Sequence, residues 1–453
     1  MKEFTEEYLE KIRRIADERN REGAVAELQD LHPADIAELY ENLDVAQMEF
    51  LQELLDEEKA ADVLMALDED DRLKLLNDMP AEEIAKQIEN LDTDDAVDLI
   101  QQLDEGEREE ILSHIDDVEQ AGDIIDLLKY DEDTAGGLMG TEMIVVNENW
   151  SMPECIKQMR LQAEDMDEIY YVYVVDNDYR LRGTFPLKKM LTHPSVSRIK
   201  HVMEPDPVCV RAETPIDEVA LDFEKYDLVA MPVVDSIGRL LGRITVDDVM
   251  DQVREASERD YQLASGISSD VDADDSVLAQ TKARIPWLLI GIASGLLASA
   301  ILGTFEAQLQ AVTALALFIP IIGGTGGNVG VQASAIVVQG LANGTLEIKQ
   351  FASQMVKEIL IGLLNATIMS AVVFIYNIIV MPDDFAVTVA VTISLFVVVM
   401  FASILGTLVP LSLEKIHINP ALATGPFIQI SNDIVGIIIY VQIATFCLSH
   451  INF

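Results

Sequence analysis

The chain has 453 residues, of which 79 are Asp or Glu and 31 are Lys or Arg, yet half of it is hydrophobic. A formal charge of −48 excludes a grip on nucleic acid, which needs a basic surface to neutralise phosphates, and it requires acid and oil to occupy different stretches. Three scattered cysteines, Cys155, Cys209 and Cys447, suggest neither a disulfide framework nor a thiolate metal site and suit a reducing cytosolic face.

Residues 1 to 130 carry 41 acids and 12 bases, a net charge of −29. The first 30 residues are charged and helical in pattern, without the apolar core of a signal peptide. Leu31, Leu43, Leu55, Leu67, Met79, Leu91, Leu103, Ile115 and Leu127 then recur every twelve residues. Asp follows at 44, 56, 68, 92, 104 and 116, where a carboxylate caps the free amide hydrogens of a helix start. Each unit therefore reads as a short helix with one buried stripe, and such units stack into a solenoid.

Between about 138 and 250 the pattern changes to short β-branched runs alternating with helical stretches. Val174-Val175-Asp176 with Arg180-Leu181 and Gly183 recurs 59 residues later as Val233-Val234-Asp235 with Arg239-Leu240 and Gly242. This repeat resembles a tandem pair of CBS domains. In that family a hydroxyl and an Asp after the Gly contact ribose and phosphate; the second copy keeps both as Thr245 and Asp248, whereas the first has Pro186 and Lys189 there. The resemblance implies an adenine nucleotide such as ATP at Thr245 and Asp248, with half of the usual signature. An acidic helix follows, with Asp247, Asp248, Asp251, Glu255, Glu258 and Asp260 interrupted by Arg254 and Arg259, and residues 266 to 276 read as an acidic joint.

The last third holds five apolar stretches, 285 to 305, 307 to 342, 355 to 381, 386 to 413 and 420 to 449, each long enough to cross about 30 Å of hydrocarbon as a helix. The second contains Pro320 and the run Gly323-Gly324-Thr325-Gly326-Gly327, where a bend or break is expected. Lys282, Arg284, Lys349, Lys357 and Lys415 flank one side, and Glu306, Asp383 and Asp384 the other. By the positive-inside rule the acidic segment lies in the cytosol and the C-terminus outside.

Glu347, Glu358 and Glu414 fall near cytosolic ends, which leaves Asp433 alone near the middle of a span. An ionised carboxylate there costs at least roughly 2.5 kcal/mol, so it should face a cation, a partner or water. Asn419, Thr424, Gly425, Ser431 and Asn432 on the same stretch, with Asn328 and Gln332 on the second, supply small or oxygen-bearing groups. Oxygen donors with one carboxylate suit a hard, hydrated divalent ion such as magnesium, and no His or Cys cluster points to zinc or copper. No phosphate loop and no nucleophile–base pairing can be nominated, which argues against an ATP-driven pump and against an enzyme.

Over essentially its whole length the chain resembles the MgtE family of magnesium transporters. The residues that carry the likeness are Asp133-Thr134-Ala135-Gly136-Gly137-Leu138-Met139 leading into the CBS copies, Gly326-Gly327-Asn328, and Asn432-Asp433. The resemblance implies an all-α superhelical N domain (1–130), an α+β tandem CBS pair (131–250), a connecting or plug helix and joint (251–280), and a polytopic five-helix pore domain (281–453). It further implies a homodimer in the inner (plasma) membrane, in contact with lipid, which imports Mg2+ down its electrochemical gradient along the two-fold axis. Asp433 would bind the hydrated ion, with Gly326, Gly327 and Asn328 lining the path beside it. Regulatory Mg2+ would bridge Asp62, Asp94 and Asp98 of the N domain to Asp217, Asp227, Asp248, Asp251 and Asp260 and close the pore. Some relatives carry Asn where this chain has Gly425. Two readings remain beside this one: transport of another divalent cation such as Mn2+, Co2+ or Ni2+, and a membrane-bound nucleotide or ion sensor that conducts nothing.

Overall fold

The structure, a computed structural model, describes residues 4–450 apart from 78, 164–165, 167–168, 193–196, 270, 274, 307–308, 310–311, 347 and 424, and apart from the side chains of 70, 190, 191, 348 and 423. Glu347 and Thr424 therefore lie outside the described residues. The chain divides into two compact units, Met1–Val253 and Arg254–Phe453.

The first unit opens with Glu6–Asp17 (α1), Arg21–Leu28 (α2), Pro33–Tyr40 (α3), Val45–Gln52 (α4), Glu57–Ala66 (α5), Glu69–Leu76 (α6), Ala81–Ile88 (α7), Thr93–Gln101 (α8), Glu105–Leu112 (α9) and Val118–Leu127 (α10). From α2 to α9 the starts are spaced by twelve residues, as the leucine period requires. Alternate helices pack on one another, α3 on α5 and α5 on α7 in one row, α4 on α6 and α8 on α10 in the other, with the repeated leucines turned inward. Asp44 and Asp56 cap α4 and α5 by accepting the amide hydrogens of Gln47 and Lys59. Asp116 does not cap α10, contrary to expectation. The last unit is one residue longer, and Asp117 accepts from Glu119 and Gln120 instead.

Two small sheets follow. Ile144–Asn147 (β1), Val172–Val175 (β2), Leu181–Phe185 (β3) and Glu204–Pro205 (β4) form one in that order, with the helices Met152–Gln162 (α11) and Leu187–Thr192 (α12). Val210–Arg211 (β5), Ala230–Val234 (β6) and Leu240–Thr245 (β7) form the other, with Ile216–Tyr226 (α13). The sequence repeat reappears as geometry. β1 and β2 are parallel and β2 and β3 antiparallel, as are β5 with β6 and β6 with β7, and a register shift falls at Val174/Val175 and again at Val233/Val234. Asp176 and Asp235 each accept two backbone amides of the following turn. The two turns pair with each other, Leu181 N–H to Gly238 O at 3.0 Å and Leu240 N–H to Tyr179 O at 3.1 Å.

The segment before β1 is stitched to the second copy. Ala135 and Gly136 donate to the carbonyls of Thr214 and Ala212, and Gly140 exchanges two 2.9 Å bonds with Arg243. A side chain on Gly242 would meet Gly140 O at 2.6 Å, so this approach needs glycine.

Val246–Ser265 (α14) runs from β7 across the division between the units. In the second unit it stops at Gly266, whose φ of +82° suits a residue without Cβ. Val277–Thr304 (α15), Ile319–Ala342 (α16), Phe351–Val380 (α17), Phe385–Lys415 (α18) and Gly425–His450 (α19) are then five helices long and apolar enough to span a membrane, counting the 3-10 turn Thr313–Phe318 with α16. α18 is the hub, packed against α16, α17 and α19. The expected break in the second span is displaced. The chain passes from 3-10 to α geometry at Ile319, with Pro320 in the first turn where its missing N–H costs nothing, and the glycine run continues as helix. Those glycines serve close packing instead, a use common in membrane helices.

Candidate functional site

In the first unit, carboxylates converge at the start of α8. Asp92 occupies its N-cap position without making the cap bond. The Thr93 N–H and hydroxyl bond to Glu142 at 3.0 and 3.1 Å, so a residue from the segment before β1 caps the helix in its place. Carboxylate oxygens of Asp92, Asp94 and Glu142 lie within 4.8 Å of one another. Two like charges that close repel by about 3 to 4 kcal/mol at an effective dielectric of about 20.

With Asp95, Asp247, Asp248, Thr245, Tyr170, Met166 and Arg243 they line a cavity of about 230 Å3. Burial, then the neighbouring Asp248, raises the Asp94 carboxyl well above its usual range, and Asp95 is pushed up to about 7 by burial and by Asp248 and Asp98. Burial likewise raises Glu142 and Asp248. Among the described residues that line the cavity, Arg243 is the one cation. Nearly buried, it pairs with Asp92 at 3.1 Å, donates to the Glu142 carbonyl and lies 5.6 Å over the Tyr170 ring. An all-oxygen donor set at a helix N-terminus, with more acid than one arginine balances, can hold a hard divalent cation.

Of the expected regulatory residues, Asp94 and Asp248 line this cavity, and Asp98 lies near enough to act on Asp95 and Arg72. Asp62 lines a separate cavity of about 440 Å3 with Asp30, Asp56, Glu58, His32 and Lys59. Asp217, Asp227 and Asp251 are exposed, Asp217 in the first turn of α13 and Asp227 at its left-handed C-cap. Asp260 accepts a 2.8 Å bond from the Asn419 amide within the second unit. Thr245 donates its hydroxyl to Asp248, so the pair expected to contact a nucleotide is bonded to itself. Sequence reading missed Asp92, Asp95, Glu142 and Arg243. Asp92 and Asp95 flank Asp94 in one acidic run, a signal that was available; nothing local marks Glu142.

In the second unit Asp433 lies half-buried on α19, and among the described residues it has no ion-pair partner. A Cβ added to Gly323 would lie 3.4 Å from its Oδ1, and one added to Gly327 would meet the Gln429 amide at 3.3 Å. Gly326 packs on Val398 and accepts from the Asn432 amide. Asn328 is exposed, about 140° around α16 from Gly323 at 100° per residue. Glu358, expected near the end of a span, is the eighth residue of α17, where it is 7 % exposed and accepts the Ser403 hydroxyl of α18.

Residues 319–443 match the family described as a divalent cation transporter, residues 31–133 match the MgtE intracellular N domain, and residues 199–255 match a CBS domain. The magnesium transporter MgtE of Thermus thermophilus is 36% identical over 326 residues, 70% of this chain and 71% of that protein. Its namesake in Bacillus subtilis is 29% identical over 70% of each chain. Among solved structures, the cytosolic domain of the Mg2+ channel MgtE in complex with ATP aligns with 54% of this chain and 99% of its own, at 32% identity and a TM-score of 0.51. The soluble part of a magnesium transporter aligns with 56% of this chain at 28% identity and a TM-score of 0.50. With all three segments matched in order and a long relative at this identity, the chain belongs to the MgtE family of magnesium transporters.

Proposed function

We propose that the protein is a homodimeric, magnesium-selective channel that admits Mg2+ to the cytosol down its electrochemical gradient and is shut by cytosolic Mg2+. The observation that carries the reading is Asp433, a half-buried carboxylate inside an apolar helix, set against the glycine face of α16. The names of its relatives as magnesium transporters support the choice of ion. A divalent ion gains about 4.6 kcal/mol per 100 mV of membrane potential, so conduction needs no chemical step and no enzyme activity. The distribution of Lys282, Arg284, Lys349, Lys357 and Lys415 supports a cytosolic first unit and an outer C-terminus.

Regulation rests on the cavity of Asp92, Asp94, Asp95, Glu142 and Asp248. Mg2+ held there replaces carboxylate repulsion with attraction between the N-domain helix α8 and the CBS pair. Asp62, Asp98, Asp217, Asp227, Asp251 and Asp260 complete the proposed regulatory set, and ATP takes the CBS pair at Thr245 and Asp248, in line with the ATP complex of the structural relative. Moving a two-state equilibrium from 1:99 to 99:1 takes about 5.5 kcal/mol of differential binding, more than one weak site supplies, so several sites act together.

Liposomes containing this protein alone test the pore. Asp433→Ala should abolish Mg2+ uptake reported by an internal dye, and uptake at the wild-type rate would sink the assignment. Competition by Mn2+, Co2+ and Ni2+ in the same liposomes reads the ion preference.

A further inference from the structure

Asn432 precedes Asp433 on α19 and is 1 % exposed. Its Nδ2 donates to the Gly326 carbonyl of α16 at 3.4 Å, and its Oδ1, also buried, has no hydrogen-bond partner among the described residues. The slot for this amide is kept open by glycine: a Cβ on Gly330 would lie 2.5 Å from Asn432 Nδ2 and 2.6 Å from Ile428. On the third side Val398 of α18 lies 3.0 Å from where a Cβ of Gly326 would be and 3.3 Å from one on Gly436. A polar side chain in so tight an apolar junction is costly unless it does something that a hydrocarbon cannot.

We propose that Asn432 is a positioning residue for Asp433. Neighbouring helical residues project about 100° apart, so pinning the Asn432 amide to α16 fixes the rotation of α19 about its axis and with it the direction of the next side chain. A carboxylate carried about 6 Å from the axis moves about 2 Å when the helix turns by about 20°, enough to take it away from Gly323. Val398 meets both glycines with one methyl group, a contact that sets distance but not direction. The amide supplies the directional contact. Gly326 O belongs to the ladder of α16, where the Gly330 N–H is its helical partner, so removing the amide orphans no backbone group. The inference rests on Asp433 as the ion-binding carboxylate.

The test is Mg2+ uptake into liposomes carrying the full chain, with half-saturating concentration and maximal rate measured separately, beside a melting curve. Asn432→Leu keeps the volume and removes both polar atoms. It should raise the half-saturating Mg2+ concentration about fivefold to tenfold, the loss of roughly one net hydrogen bond, while the melting temperature stays level or rises because a buried orphan acceptor has gone. Asn432→Ser, whose hydroxyl is too short to reach Gly326, should shift uptake the same way and keeps the question answerable if the Leu variant fails to assemble. Wild-type half-saturation in these variants, or an uptake loss that merely follows a falling melting temperature, overturns the positioning role while Asp433→Ala still abolishes uptake. Wild-type uptake by Asp433→Ala overturns the pore reading and this inference together.

Discussion

Asp95 shows what crowding does to a single side chain. Its carboxyl is pushed up to about 7 by burial and by Asp248 and Asp98, whereas an unfolded Asp titrates near 4. Between those values the folded chain holds a proton that the unfolded chain has lost, so this contribution to stability falls as pH rises from about 4 to about 7 and is flat above. Magnesium needs the ionised form. Melting curves in chelator should therefore drop across that window, and added Mg2+ should raise the melting temperature more at about pH 8 than at about pH 5.5. Equal increments would mean that the ion binds elsewhere. Arg243 balances the same cluster without a metal. Arg243→Met should cost about 1 to 2 kcal/mol in chelator, because the Glu142 carbonyl loses a donor and the half-exposed Asp92 its ion pair, and saturating Mg2+ should recover part of it. An unchanged chelator melt would remove Arg243 from the account. Neither effect could be read from sequence beyond Asp94, Asp98 and Asp248, since Glu142 reaches Thr93 across 49 positions and only the fold brings them together.

At the scale of the element, period and packing divided the information. The twelve-residue leucine interval was enough to place the short helices, because each must bury one stripe and stop. The expected caps form at Asp44 and Asp56, whereas Asp68 and Asp92 stand at the N-cap without making the bond. Asp44 caps its helix, so Asp44→Ala should cost about 1 kcal/mol, read as a lower melting temperature. Asp92 sits at the same place in its repeat but makes no cap bond, and Asp92→Ala should carry no capping penalty; in chelator its loss acts through Arg243 instead. Asp117 replaced Asp116 because one inserted residue shifts the phase, a change that the period itself cannot report. The glycines of α16 were misleading for a different reason. As isolated residues they favour a break, yet against α18 and α19 they allow close approach: a Cβ on Gly406 would collide with the Gly330 carbonyl. Gly406→Leu should therefore disrupt the junction by about 1 to 3 kcal/mol, seen as loss of assembled protein in detergent. Assembly at the wild-type level would show that the helices can part without penalty.

Across the whole molecule the −48 resolves into parts with separate tasks. Residues 1 to 130 contribute −29 of it, and neutralising Asp94, Asp98 and Asp248 together should leave Mg2+ uptake insensitive to magnesium on the cytosolic side. Retained sensitivity would place the sensor outside this cavity. The order of segments and the five spans were plain in the sequence because hydropathy and repeat length survive without a fold. Distances between carboxylates were not, since they depend on which helix start meets which sheet edge.

That edge has a mechanical consequence. A stretch between two domains is ordinarily where a protease cuts and where a joint swivels. Here residues 133–140 are backbone-bonded to the second CBS copy at Ala135, Gly136 and Gly140, with Ile216 N–H returning to the Asp133 carbonyl. The first CBS copy thus hangs as a loop of chain between two strips of one continuous lattice, and the helical repeat inherits its anchorage from the copy farther away in sequence. Amide exchange at Ala135, Gly136 and Gly140 should be as slow as in β7, and nicking by a protease should spare the stretch, so that force on the helical repeat is delivered to the strand that leads directly into α14.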